Sequence, residues 1–229
     1  MNIEWIEQQV RLPLSQETVS EAVAMAEKAG HTCYKSETKG SPHDFLSKIL
    51  HRGHESVLEH ITISAVLTTD RSVTHQLVRH RHCAFSMESQ RYVNYNKKGT
   101  IQLIKPQFFG DRSLSFSPIM LFKGRCQTMV DSYENLIKEG LPPEEARGLL
   151  PNCTATTIAV TTNLREWRHI FRMRLDSSAQ PQIRSLFRTL RKGMEDKYGL
   201  AWAFKDTPDC DSRIYIPAVL QDVSSILLR

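Results

Sequence analysis

Cysteine is scarce and scattered in this 229-residue chain: Cys33, Cys83, Cys126, Cys153 and Cys210, with no CxxC pair. An odd, dispersed set argues against a disulfide framework and against a cysteine-rich zinc site; it fits small buried hydrophobes in a reducing compartment. Long apolar runs are missing as well. No window approaches the roughly 18 uninterrupted apolar residues of a membrane span. The opening MNIEWIEQQVRLPL carries acids where a secretory leader needs a basic region. A cytoplasmic protein without a membrane partner is expected. Neither GxGxxG nor GxxxxGK occurs, so a dinucleotide would have to be held by side chains and helix ends, not by a Rossmann or phosphate-loop turn. Repeats, low-complexity tracts and linkers are absent too. That leaves no sharp boundary between residues 1 and 229 and predicts a single domain.

What is present is ordinary globular material with a mild basic excess. Hydrophobic residues make up 40% and charged residues 24%, which excludes disorder and fibrous architectures. Thirty Lys+Arg against 25 Asp+Glu give a net charge of +5 and a pI near 9.0, a hint of anionic partners such as phosphates or nucleotides. Eight of the nine histidines lie between His31 and His82, the ninth being His169. That density marks the first third as a place where protons or phosphates are handled.

Local signals outline the elements. A helix is predicted from about Glu17 to Ala29, with Gly30 closing it. Ser41-Pro42 reads as an N-cap followed by proline at the first helical position, opening a helix through Phe45, Leu46, Ile49 and Leu50 to Gly53. Ser117-Pro118 predicts a second such start, for a long helix carrying Phe122, Cys126, Met129, Val130, Tyr133 and Ile137 and stopped by Gly140. Ile61, Ile63, Ala65 and Leu67 alternate with polar residues, the period of a half-buried strand. Asp70 then caps a helix to about Arg81. Tyr92, Val93 and Tyr95 read as strand, as do Ile101, Leu103 and Ile104. The threonine-rich run Thr154–Thr162 is strongly β-forming. Asn163 caps a helix from Leu164 to Arg174, and a last helix from about Gln180 to Tyr198 carries Ile183, Leu186, Phe187, Leu190 and Met194 on one stripe. Ile214, Ile216, Val219 and Leu220 look packed. The expected class is α+β, a mixed sheet core flanked by helices, because several connections are too short for parallel crossovers.

Two helices carry the chemistry. In the Asn163-capped helix, Trp167, Ile170, Phe171 and Arg174 stand at i, i+3, i+4 and i+7, so Arg174 shares the apolar face. A guanidinium cannot be neutralised there, and burying it without an anion is costly; the alternative is an arginine satisfied by the last carbonyls of its helix. Arg165, Arg168 and Arg172 fall on the other face, where a solvated basic stripe is expected. In the Asp70-capped helix, Gln76 and Arg79 are neighbours, Val73, Leu77 and His80 continue the inward stripe, and the segment runs out in Arg79-His80-Arg81-His82. Small hydroxyls and Arg91 follow. Guanidinium forks with hydroxyls and loop N–H groups are what a multiply charged phosphate requires. His51, His54, Glu59 and His60 have no metal-site spacing, and no metal is expected.

Arg79-His80-Arg81, seven residues, then Ser89 resembles the RHR-x7-S signature of the flavin-dependent thymidylate synthases. GHESVLEH (residues 53–60) is similar to that family's GHxSxxEH block, Gln76 precedes the RHR triplet as members have it, and EEARGLLP around Arg147 and NLREWRHIFRMR with the following SSAQPQIR match in order. The resemblance spans about residues 41–190. It implies a homotetramer with sites built from several subunits. It also implies reductive methylation of dUMP to dTMP, with FAD as cofactor, NADPH as reductant and methylenetetrahydrofolate as carbon donor. By the match, Gln76, Arg79, Met87, Glu88, Ser89, Gln90, Arg91, Arg147 and Arg174 would hold dUMP, with Arg174 catalytic at the uracil edge. His54, Ser56, Glu59, Arg79, His80, Arg81, Asn163, Arg165 and His169 would hold FAD.

A desolvated guanidinium at the uracil edge would stabilise negative charge on N3 and O4, and so activate C5 without a cysteine adduct. Cys83, inside the signature, reads as packing, and Ser89, lacking an obvious base, as a binding hydroxyl. Departures from the fuller pattern are Ala84 and Ser86 (often Ser and Asn), Met87 (often polar), Ser178 (His in some members) and Gln182 (often Glu). Two other readings compete. A nucleic-acid-binding module would explain the pI, although acids interleave with the basic residues. A His/Glu metal hydrolase is disfavoured by spacing.

Overall fold

A computed structural model describes residues 1–37, 40–111, 114–208 and the backbone of 219–220. Its backbone is organised around one antiparallel ribbon. Strand β3 (Thr62–Asp70) pairs residue for residue with β6 (Ala155–Asn163), Thr62 opposite Asn163 and Asp70 opposite Ala155. The expected alternation holds. Ile63, Ala65 and Leu67 of β3 and Ile158 and Val160 of β6 are fully buried on one face. The other face carries Ser64, Val66, Thr68, Thr157, Ala159 and Thr161, all partly exposed.

Three short strands widen the ribbon to the order β4-β6-β3-β2-β7: β2 (Gln9–Arg11), β4 (Ala84–Met87) and the two-residue β7 (Val219–Leu220). β7 lies parallel to β2, whereas the other pairs in this sheet are antiparallel. A separate parallel pair joins β1 (Asn2–Ile6) to β5 (Thr100–Ile104). Helices and strands of both pairings therefore mix, consistent with α+β. No described helix is long and apolar enough to cross a membrane.

The helices α1 (Gln16–Tyr34), α2 (Pro42–His51), α6 (Leu164–Arg174) and α7 (Pro181–Tyr198) contribute to one core with the buried sheet face. Trp167, Phe171, Phe187 and Phe204 are its largest fully buried apolar members, each contributing roughly 1.5–3 kcal/mol of burial. The α7 stripe is buried as predicted. A second cluster gathers Ile101, Leu103, Cys126, Val130 and Tyr133 between β5 and α4 (Phe116–Lys138).

The caps fall largely where chemistry places them. Ser41, Asp70 and Asn163 accept from the N–H groups of Asp44, Val73 and Glu166. Four expectations need correction. Gly30 does not end α1, which runs on to a left-handed Lys35; a Cβ at Gly30 would lie 2.6 Å from Phe45 Cε1, so the glycine serves the close approach of α2. α4 starts at Phe116 after Ser115, two residues before the expected cap, because proline is tolerated within a first turn whose N–H groups lack partners. α3 (Arg71–Leu77) stops four residues short of Arg81. Tyr92 lies in a turn, Val93 has no regular structure and Tyr95 opens a 3-10 turn; the strand in this region is β4, recruited by the free edge of β6. Cys210, Ile214 and Ile216 lie outside the described residues, as do the side chains of Val219 and Leu220.

Both β3 and β6 run straight into a helix, α3 and α6. Because the strands are antiparallel, these helices leave from opposite ends of the ribbon. Nine strand residues span about 30 Å, and the 11 residues of α6 with the seven of α3 cover about 27 Å. The two C-terminal ends meet.

Candidate functional site

That meeting point is the first cluster. Arg174, the last residue of α6, donates from Nε to His80 Nε2 (3.0 Å) and from Nη2 to the Gln76 carbonyl of α3 (3.1 Å). It is satisfied by a neighbouring helix, not by the last carbonyls of its own. His80 lies just past α3 and is 4% exposed. Accepting from a guanidinium requires its Nε2 lone pair, so the ring is neutral with its proton on Nδ1; Nδ1 faces Glu166 Oε1 at 3.5 Å. Burial, then the charges of Arg174 and His169, push the His80 pKa down to about 4, while burial lowers that of Arg174. The Gln76 amide donates to Gln180 Oε1 (2.6 Å) at the head of α7.

His80, Glu166 and His169 bring three potential ligand atoms within 4.8 Å of one another. The guanidinium bonded to His80 makes that a poor place for a cation. His51, His54, Glu59 and His60, the histidine-rich alternative, are all exposed.

The second cluster lies along the other part of α6. Arg165 Nη1 donates to Glu59 (2.5 Å), and its Nε stands 3.6 Å from Glu55 Oε2. Arg168 is not the solvated residue the sequence suggested: it is 1% exposed. Its guanidinium donates to the Ala203 carbonyl, to Glu55 (3.1 Å) and to Asp206 (2.8 Å), and Arg172 donates to the same two carboxylates (3.0 and 2.7 Å). Burial alone would raise Glu55 and Asp206, but the two guanidiniums outweigh it and hold both carboxyls below their ordinary range. This clasp ties residues 203–206 and the His54–Ser56 segment to α6. A signal was present, since Leu164, Arg168, Phe171 and Leu175 fall at i, i+4, i+7 and i+11 and the other three are buried.

The third cluster forms around Glu144, in the short helix α5 (Pro143–Ala146). Arg91 Nε stands 3.6 Å from Glu144 Oε2, and Arg147 Nε donates to the Glu144 carbonyl (3.2 Å). Ser89 Oγ accepts from the Arg91 N–H (3.2 Å), so it turns the loop rather than pairing with a base. Glu88 accepts from the Tyr95 hydroxyl (3.1 Å), Met87 Sδ lies 3.9 Å from Arg71, and Gln90 is buried. Glu88 and Tyr95 line a cavity of about 240 Å³ between β5 and β6.

The remaining candidates are placed as follows. His54, Ser56, Glu59, Arg79, Arg81 and His169 are exposed, and Asn163 is spent on its cap. Gln182 uses both ends of its amide, accepting from the Gln107 N–H and donating to the Lys105 carbonyl, a pairing a carboxylate could not reproduce. Ser178 bonds Asp176 in an exposed turn, and Ala84 and Ser86 are exposed on β4. Cys83 is partly buried against the core, as expected, and burial pushes its thiol up to about 11. Glu55, Glu144, Glu166 and Arg168 were not singled out by sequence reasoning. Each is known only by its partner from a distant stretch of chain.

Residues 14–198 match the family model described as thymidylate synthase complementing protein. The chain is 36% identical over 187 residues to the flavin-dependent thymidylate synthase of Geobacter sulfurreducens, covering 77% of this chain and 78% of that protein. It is 36% identical over 188 residues to the enzyme of that name from Mycobacterium sp. strain JLS (71% and 72% covered), and 36% over 187 residues to a probable one from Mycobacterium phage D29 (74% and 77%).

Proposed function

Because this chain belongs to the flavin-dependent thymidylate synthase family and is therefore a flavin-dependent methyltransferase of dTMP synthesis, we propose that it methylates dUMP reductively, with FAD as the flavin, NADPH as reductant and methylenetetrahydrofolate as carbon donor. The observation that carries the reading is Arg174. Its guanidinium is pinned by a neutral His80 and by the Gln76 carbonyl, with Nη1 unpartnered among the described residues.

The donor set suits a dinucleotide held without a glycine-rich turn. Arg79, Arg81, Arg165, His54 and His169 are exposed and basic, as pyrophosphate oxygens require, and Glu59 offers a carboxylate to ribose hydroxyls. A bound flavin supplies the ring that takes up and returns a hydride. The protein's own part is positional and electrostatic. Arg91 and Arg147, flanking Glu144, and the Ser89 hydroxyl receive the dUMP phosphate with Arg79; Gln76, Met87, Glu88 and Gln90 shape the surrounding pocket. Arg174 faces the uracil edge, where negative charge on N3 and O4 makes C5 nucleophilic, and its partial burial strengthens that interaction.

One chain holds these groups in separate clusters, which favours a single-domain protomer acting in a homotetramer with shared sites. Two uncovered surfaces support that assembly: the partly exposed outer face of the β3–β6 ribbon, and Phe116, Met120 and Leu121 of α4, which are 72%, 48% and 61% exposed. The test is NADPH-driven turnover of flavin-loaded protein with methylenetetrahydrofolate and dUMP under anaerobic conditions, with nucleotides separated by chromatography. dTMP that appears only when all components are present supports the proposal. Flavin oxidation without dTMP would overturn it.

A further inference from the structure

Outside these clusters, one pair of nucleophilic side chains has no part in the proposed reaction. Cys126 projects from the middle of α4 into the second core, and Cys153 stands two residues before β6. Their sulfurs are 3.7 Å apart, although 27 residues separate them in sequence. Cys126 is 3% exposed and packs beside Val130 and Tyr133.

The backbone holds the two thiols together. The Cys153 carbonyl accepts from the Ile104 N–H (2.8 Å), the Asn152 carbonyl from the Arg71 N–H (3.0 Å), and the Pro151 carbonyl from both N–H and hydroxyl of Thr154. Cys126 is fixed by its helix. Only side-chain rotation remains, so the effective concentration of one sulfur at the other is high. Access exists from one side: Cys153 lines a cleft of about 360 Å³ with Ser72, Phe108, Phe122 and Gln180. Cys33, by contrast, is exposed and Cys83 only partly buried, and among the described residues neither meets a second sulfur.

We propose that Cys126 and Cys153 form a dithiol modification site that reacts with small hydroperoxides and closes to an intramolecular disulfide joining α4 to the head of β6. The attacking sulfur, as its thiolate, forms an S–O bond while the O–O bond breaks, and the released hydroxide takes a proton and leaves as water. The second sulfur then attacks that sulfenic acid: the S–S bond forms, the S–O bond breaks, and a second water leaves. The two sulfurs lose two electrons between them, and hydrogen peroxide is reduced to two waters. The same sulfur pair suits a trivalent arsenical, which bridges two adjacent thiols. None of this depends on the proposed function.

The experiment uses the full-length reduced protein and a small excess of hydrogen peroxide, followed by alkylation and peptide mapping. A Cys126–Cys153 linked peptide, two hydrogens lighter than its parts and reversed by dithiothreitol, is expected, with a raised thermal midpoint because a 27-residue separation is closed. Phenylarsine oxide should bind at one equivalent, and Cys126→Ala or Cys153→Ala, checked for native circular dichroism, should each abolish both the link and that binding. Oxidation of Cys33 while Cys126 and Cys153 stay unlinked would overturn the proposal. So would arsenical binding that survives either substitution. Should neither variant fold, the linked peptide from the unaltered protein decides alone.

Discussion

Removing the acids that hold Arg168 should damage the protein more than removing Arg168 itself. The guanidinium is 1% exposed, and its charge is met by Glu55 and Asp206. A Glu55→Ala, Asp206→Ala double variant leaves that charge in the interior with only the Ala203 carbonyl. Stranding a buried ion costs about 3–5 kcal/mol. Arg168→Met keeps most of the packing stem, and both carboxylates retain Arg172, to which each is already bonded. Its cost should stay below about 2 kcal/mol, because an apolar replacement of a buried ion is often close to neutral. For a chain of this size 1 kcal/mol moves the thermal midpoint by roughly 2–4 °C, so the double variant should melt roughly 6–20 °C lower. Urea titration of the three proteins at pH 7.5 gives the same comparison without heating. Since the clasp also fixes the His54–Ser56 segment, the double variant should retain less flavin through gel filtration. Equal stability for the double variant and Arg168→Met would refute the account.

Three further expectations follow from the other clusters. Arg174→Lys keeps the charge but loses the planar fork that spans His80 and the Gln76 carbonyl; dTMP formation should fall at least tenfold, about 1.4 kcal/mol of barrier, with the melting curve unchanged, and near-normal turnover would remove Arg174 from the mechanism. Arg165→Ala should weaken flavin retention more than dUMP affinity, measured by ultrafiltration and by equilibrium titration; the reverse order would mean that the two ligands have been exchanged. The His80 pKa lies near 4 when folded against an ordinary 6.5, so the unfolded chain binds the extra proton first. Stability from this group is complete above pH 6.5 and declines as pH falls toward 4, by about 3 kcal/mol at most. His80→Asn should flatten that part of the stability profile, and an unchanged slope would show that His80 titrates normally.

What was legible in the sequence is what local chemistry decides. Asp70 and Asn163 announce helix starts because their side chains satisfy N–H groups three residues on, and the Ile61–Leu67 alternation declares its buried face through the two-residue strand period. Features set by a distant partner were not legible. Gly30 looked like a helix stop, because nothing nearby shows that Phe45 will press against it. β4 has little strand signal of its own and exists because β6 offers an edge. Arg168 was read as part of a solvated stripe although it shares a face with Leu164, Phe171 and Leu175, because only Glu55 and Asp206 explain how a charge can remain buried there. Among the site candidates, Arg174 was placed correctly on the inward face, while its partners His80 and Gln76 became visible only when two helices from opposite ends of the ribbon were seen to touch.

That end-to-end meeting makes the β3–β6 pair a vernier. Sliding β6 past its neighbour by a single residue would carry α6 about 3.4 Å along the ribbon, further than the bond between Arg174 and His80 can stretch, and would turn the outer-face Thr157 and Thr161 toward the core. An insertion in either strand is therefore read out where the two helices meet, not where it occurs. Length changes in this part of the molecule can survive only as matched pairs, one in each strand or one in a strand and its helix.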